Sequence, residues 1–208
     1  MRKLGPASEE EMIAEFVAAE VDSSRFGGAV RGGLRTRGLT RSLVDHPDLS
    51  NGSENATRAS LLNDYRGWTS RTALFDRWPD EIDWHRAVLT AEDLPRLLYA
   101  GTQEFAELSN GSYSPVDGVR RIESGEVPSS ALVGVEAAKS IARRIKSGDS
   151  LFRVIAIGDP DEREIVLVEG HSRINGYLLA GFPEELEILY GETSVEQLRG
   201  WGWYPKRV

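Results

Sequence analysis

The sequence predicts an α+β protein, and three observations carry that expectation. Two β-branched apolar runs, Val154-Ile155-Ala156-Ile157 and Ile165-Val166-Leu167-Val168, flank the turn Gly158-Asp159-Pro160-Asp161, which is the pattern of a hairpin. Apolar residues recur at helical spacing on either side of that pair, at Val135, Ala138, Ile141, Ala142 and Ile145 and again at Ile174, Tyr177 and Leu178. Residues 1–80 show helical periods and turn clusters instead. The expected organisation is a mainly helical N-terminal extension over residues 1–80 and an α+β domain over residues 81–208.

Taken in order, Ser8 followed by Glu11 has capping-box spacing, and Met12, Ile13, Phe16 and Val17 continue with a helical period, so the chain is expected to open with an amphipathic helix. Residues 23–53 are rich in Gly, Arg, Ser and Asp and read as a mobile connection with a short helix at most. A second helix is expected over Asn55 to Tyr65, stopped by Gly67-Trp68. The aromatics Trp68, Phe75, Trp78 and Trp84 suit a core or a contact with the second half better than a ligand platform. Trp84 to Leu89 fits a strand, Thr90 fits a helix N-cap, and Pro95 would distort the helix after it. Ser109-Asn110-Gly111-Ser112 is a turn, either a bland surface turn or one that touches a ligand. Gly148 sits where the helix from Val135 to Lys146 should be capped, Leu186 to Tyr190 alternates as a strand, and Ser194 caps a last short helix.

Composition narrows the function classes. Acidic residues outnumber basic ones 33 to 25, a formal net charge of −8, whereas a protein gripping duplex phosphates usually carries a basic surplus. Nucleic acid is therefore the less favoured partner, although Arg25, Arg31, Arg35, Arg37 and Arg41 would form a local patch if they shared a face. The absence of cysteine excludes disulfides, thiolate metal sites and thiol nucleophiles. No apolar stretch comes after Met1-Arg2-Lys3, and no window approaches the roughly 20 apolar residues of a membrane span. A cytoplasmic protein without a membrane partner is the simplest expectation.

The chemistry concentrates at Glu169-Gly170-His171-Ser172-Arg173, between a strand ending at Val168 and a helix. A helix start presents free backbone N–H groups, and its dipole favours an anion. Gly170 removes a Cβ from the approach, Ser172 can cap or donate a hydroxyl, and Arg173 offers a fork matched to phosphate oxygens. A plain structural turn is the competing reading. His46 and His85 fit structural or exposed roles, and no spacing of His or carboxylates marks a metal site.

Residues Ile165 to Gly181, IVLVEGHSRINGYLLAG, resemble the strand-turn-helix hallmark of the ParB/sulfiredoxin superfamily, and Ser140 through Gly148 to Ile155 resembles the helix, glycine and strand preceding it. The resemblance covers roughly residues 130 to 191 and implies a mixed sheet with packed helices. It implies a nucleotide, ATP or ADP with CTP as a further choice, bound with Mg²⁺. By this resemblance Gly170, His171, Ser172 and Arg173 would hold the phosphates. Glu169 would bind the metal or act as a base, and His171 would stabilise charge or shuttle a proton.

Within that superfamily the turn is most similar to the acidic-Gly-His-His-Arg sequence of free-serine kinases, with Ser172 in place of the second His. Sulfiredoxins carry their reactive Cys where His171 stands, which excludes their activity, and the Gly-Glu-Arg-Arg turn of partition proteins differs at His171 and Ser172. The free-serine kinases take a second acidic residue from outside the turn, for which Glu123, Glu126, Glu92 and Asp93 are the candidates. The resemblance therefore implies a phosphotransferase acting on a small molecule, such as an amino acid or hydroxylated metabolite. A non-catalytic nucleotide sensor and a DNA-associated nuclease or regulator are the alternatives.

Overall fold

The computed structural model describes residues 1–206, which divide into two compact units, Ala7–Trp78 and a second made of Met1–Pro6 with the chain from Pro79 onward. The first unit is helical, with α1 (Glu9–Glu20), α2 (Gly27–Thr36), α3 (Ser42–Asp45) and α4 (Gly52–Arg66). The Ser8 hydroxyl caps α1 by accepting from the Glu11 N–H at 3.2 Å. Asn51 caps α4 by accepting from Ser53 and Glu54, and Gly67, at φ +77°, ends it. Trp68, Phe75 and Trp78 form a cluster within this unit, whereas Trp84 lies in the second unit. Phe75 packs against Phe16 at 6.0 Å, Trp68 at 4.6 Å and Trp78 at 5.0 Å, the last two edge-on.

The stretch expected to be a mobile connection instead contains α2 and α3. Four of the ten residues of α2 are glycine, which intrinsic propensity disfavours. Burial of Val30 and Leu34 outweighs that preference. Arg58 fixes the next segment: fully buried, it donates to the carbonyls of Leu43 (3.1 Å) and Asp48 (2.9 Å) and to the Asn55 side chain. The basic run is largely matched by acids. Arg37 pairs with Asp64 at 2.9 Å, and Arg41 pairs with Asp45 at 2.9 Å and with Asp22.

The second unit is α+β, built on a six-stranded mixed sheet in the order β1 (Arg2–Pro6), β2 (Asp83–Leu89), β6 (Leu186–Glu192), β4 (Val154–Gly158), β5 (Ile165–Glu169), β3 (Leu97–Leu98). β1 pairs antiparallel with β2, so the helical unit is inserted between two neighbouring strands in the chain. This opening strand is not anticipated by the sequence reading. β2 is antiparallel to β6 with Trp84 opposite Gly191, β4 runs parallel to β6, and β4 and β5 form the expected antiparallel hairpin. Every residue of β4 and the first four of β5 are buried, as continuous apolar runs require.

Among the described residues five α-helices complete this unit: α5 (Gln103–Leu108), α6 (Pro115–Ser124), α7 (Leu132–Lys146), α8 (His171–Ala180) and α9 (Val195–Gly200). α7 ends as expected. Gly148, at φ +84°, donates to the Ile145 carbonyl and Asp149 donates to that of Arg144. Pro95 sits in a 3₁₀ turn, Ala91–Arg96, in which Thr90 and Asp93 form a capping box. α7 and α8 approach closely at Gly176, where an added Cβ would overlap Ile141 Cγ2. No helix among the described residues is long and apolar enough to cross a membrane.

Candidate functional site

β5 delivers Glu169 to its C-terminal end, Gly170 turns the chain at φ +98°, and α8 begins at His171. Only a residue without a Cβ takes that φ at little cost. Among the described residues no side chain caps α8, so its first turn keeps the donor character that draws anions. The five residues singled out in the sequence are contiguous, and the structure gives each a distinct position.

Arg173 folds back over the turn. Its side chain is 9 % exposed, and one guanidinium nitrogen donates to Glu169 Oε1 at 2.9 Å. Another, Nε, is buried without a hydrogen-bond partner among the described residues. A Cβ at Gly170 would meet Arg173 Nε and a terminal nitrogen at 3.1 Å and Val154 Cγ2 at 3.0 Å. The space left by the missing Cβ is thus lined by the guanidinium itself. Glu169, the turn's carboxylate, is engaged by this cation. Among the described residues no group of three His, Asp or Glu side chains is disposed as a metal set. That donor set does not fit a metal ion held by the protein alone.

Ser172 reaches α7, its hydroxyl lying 3.4 Å from the Gly134 carbonyl oxygen. His171 joins residues that the sequence reading did not connect with the turn. Its Nε2 accepts the Ala100 backbone N–H at 3.2 Å, and its ring stacks on Phe105 with centroids 4.4 Å apart and planes 12° from parallel. Phe105 in turn stacks on Tyr99 at 4.5 Å. The buried Tyr99 hydroxyl donates to Asn175 Oδ1 on α8 at 2.5 Å, and burial pushes its phenol well above the usual tyrosine range. Glu104, beside Phe105, brings a carboxylate oxygen within 2.8 Å of where a Cβ on Gly134 would stand.

The four acidic residues proposed from sequence lie elsewhere. Asp93 is buried in the capping box and pairs with Arg96 and with the Met1 amino group at 2.7 Å. Glu126 is 3.6 Å from Arg121, and Glu92 and Glu123 are exposed. Glu104 is an acidic side chain placed next to the helix that Ser172 touches, and no motif around it marks it in the sequence. The Ser109 to Tyr113 loop contributes Ser109, Asn110 and Ser112 to an open depression of about 310 Å³, completed by Asp117, Arg120 and Arg121. Its hydroxyls serve the loop: Ser109 Oγ donates to the Phe105 carbonyl and accepts the Tyr113 N–H, and Ser112 Oγ donates to the Ser109 carbonyl.

Comparison of the chain with protein-family models, with curated proteins and with solved structures returns no match.

Proposed function

We propose that the β5–α8 turn is the phosphate-binding element of a nucleotide-dependent phosphotransferase of ParB/sulfiredoxin-like type, acting on a hydroxyl-bearing small molecule. The observation that carries this reading is the uncapped start of α8, reached through a left-handed glycine and backed by a buried guanidinium whose Nε has no hydrogen-bond partner among the described residues. A buried cation and free helix N–H groups stabilise a multiply charged oxyanion far better than a neutral ligand. Backbone N–H groups of the first turn, with Ser172 and His171, would make the direct contacts. Arg173 would act from behind through its field, so the expected fork-to-phosphate contact is not required. Mg²⁺ would be bound chiefly by phosphate oxygens and water, as the single carboxylate Glu169 is already paired. Phosphoryl transfer demands mainly positioning and charge stabilisation, which this arrangement supplies.

A nucleotide sensor without turnover is the second reading, favoured by the commitment of Glu169 to Arg173. The DNA-associated reading draws no support from the N-terminal arginines, since Arg37 and Arg41 are matched by Asp22, Asp45 and Asp64. Calorimetric titration with ATP, ADP and CTP, each with Mg²⁺, tests the proposal. Arg173→Ala alone would remove one charge of the Arg173–Glu169 pair and so alter the local fold together with the site. The informative variant is therefore Glu169→Gln combined with Arg173→Gln, which removes both charges of the pair together. Binding in the parent chain that falls at least tenfold in this variant supports the assignment, and equal affinity contradicts it. Phosphate release or transfer in the parent chain separates an enzyme from a sensor.

A further inference from the structure

We propose a second small-molecule site on the sheet unit, independent of the β5–α8 turn: a groove between α6 and the 3₁₀ turn Ala91–Arg96 that binds a small carboxylate bearing a short apolar chain. Two open depressions of about 310 and 290 Å³ meet there, with Asp117 and Arg120 lining both. They differ in chemistry. The first is polar, lined also by Arg121 and Ser112, whereas the second is walled by Leu94, Pro95 and Val116. The groove therefore has a charged end and an apolar end, a division that orients an amphiphilic ligand. Val116 and Arg120 stand four residues apart on α6, which sets an apolar and a cationic side chain side by side on one face.

Charge selects the sign of the polar group. The polar lining carries two guanidinium groups against one carboxylate, and Asp117 is already matched by Arg120 at 2.9 Å. That ion pair lies at the surface, the Arg120 side chain being 72 % exposed, and exposed pairs of this kind contribute little. Arg120 can therefore turn from Asp117 to a ligand carboxylate at small cost. Arg121 is the fixed cation. One of its terminal nitrogens donates to the Glu107 carbonyl at 2.8 Å, while Glu126, the acid beside it, stands 3.6 Å away, beyond hydrogen-bond distance. The wall itself is held from within. A Cβ at Gly118 would stand 2.5 Å from the Tyr99 hydroxyl, so α6 lies hard against that buried ring. The Tyr113 carbonyl, at a residue with φ +57°, accepts the Tyr99 N–H at 2.8 Å, which fixes the loop leading into α6. A carboxylate at the arginines then lays its chain over Val116 toward Leu94 and Pro95.

The test uses the whole ¹⁵N-labelled chain, titrated at constant ionic strength with acetate, butanoate, hexanoate and hexylammonium while backbone amide shifts are followed. Hexanoate should give saturable shifts at Leu94, Val116, Asp117, Arg120 and Arg121. Affinity should rise from acetate to hexanoate, by up to about fourfold for each added methylene. Hexylammonium, of equal chain length and opposite charge, should bind about tenfold more weakly than hexanoate. Two variants at the protein surface separate recognition from folding. Arg120→Gln should weaken hexanoate binding several-fold, whereas Asp117→Asn, which removes the competitor for Arg120, should strengthen it. A purely structural role for the Asp117–Arg120 pair predicts no such opposite signs. Equal binding of hexylammonium would reduce the groove to an apolar surface and overturn the carboxylate assignment. Equal affinity for acetate and hexanoate would remove the apolar seat, and affinity unchanged in both variants would remove the arginine contact. Shifts confined to other regions, or none at tens of millimolar hexanoate, would remove the site altogether. The phosphate reading of the β5–α8 turn is untouched by any of these outcomes.

Discussion

At Gly170 two demands meet, a φ of +98° and a gap that admits the Arg173 guanidinium. Gly170→Ala should therefore cost about 1–3 kcal/mol for the left-handed backbone alone. Displacement of Arg173 from Glu169 should add to that. Urea denaturation of parent and variant measures the sum, and a loss below the glycine-to-alanine background seen at exposed turns would contradict the packing. Tyr99 gives a second expectation at this scale. Burial raises its phenol above the unfolded value of about 10, as it also does for Tyr190. A raised pKa means the unfolded chain releases the proton first. The stability these hydroxyls contribute is therefore complete below about pH 10 and is lost as pH climbs toward their folded values. Alkaline spectrophotometric titration should show fewer than the six tyrosines ionising before the fold is lost. The turn between β5 and α8 was legible in sequence because glycine, histidine, serine and arginine stand together between two periodic segments. The partners of His171 were not. Ala100 acts through its backbone from 71 residues away, and Phe105 carries no signal beyond being aromatic.

Among elements, the packing of α8 on α7 turns on Gly176. Adding one methyl group there, as in Gly176→Ala, drives it into Ile141 Cγ2 and should destabilise by about 1–3 kcal/mol through overpacking. Thermal or chemical denaturation measures the loss. An Ile141→Ala partner change should recover part of it, because it removes Cγ2, the atom the added methyl group meets. α7 and the β4–β5 hairpin were readable because period, capping glycine and turn residues all agreed. α2 was not, since its glycines argue for a loop and only the burial of Val30 and Leu34 decides otherwise. β1 was hidden for a related reason. Arg2, Lys3, Gly5 and Pro6 have poor strand propensity, and the strand exists because β2 offers it an edge.

Across the whole molecule, the helical unit Ala7–Trp78 is inserted between β1 and β2 and carries its own aromatic cluster. Two units with separate cores should unfold in two calorimetric steps, and a single transition with equal calorimetric and van't Hoff enthalpies would contradict that division. The sheet unit contains the complete β5–α8 turn and its partners Ala100, Phe105 and Gly134, so ligand should raise the melting temperature of one step and leave the other in place.

The proposed function stands or falls on whether α8 receives a phosphate at its first turn. Backbone amide shift mapping of the ¹⁵N-labelled chain during titration with ADP and Mg²⁺ asks this most directly. The largest saturable shifts are expected at His171, Ser172 and Arg173, with smaller ones at Ala100. Shifts confined to other regions, or none at millimolar nucleotide, would contradict phosphate binding at this turn.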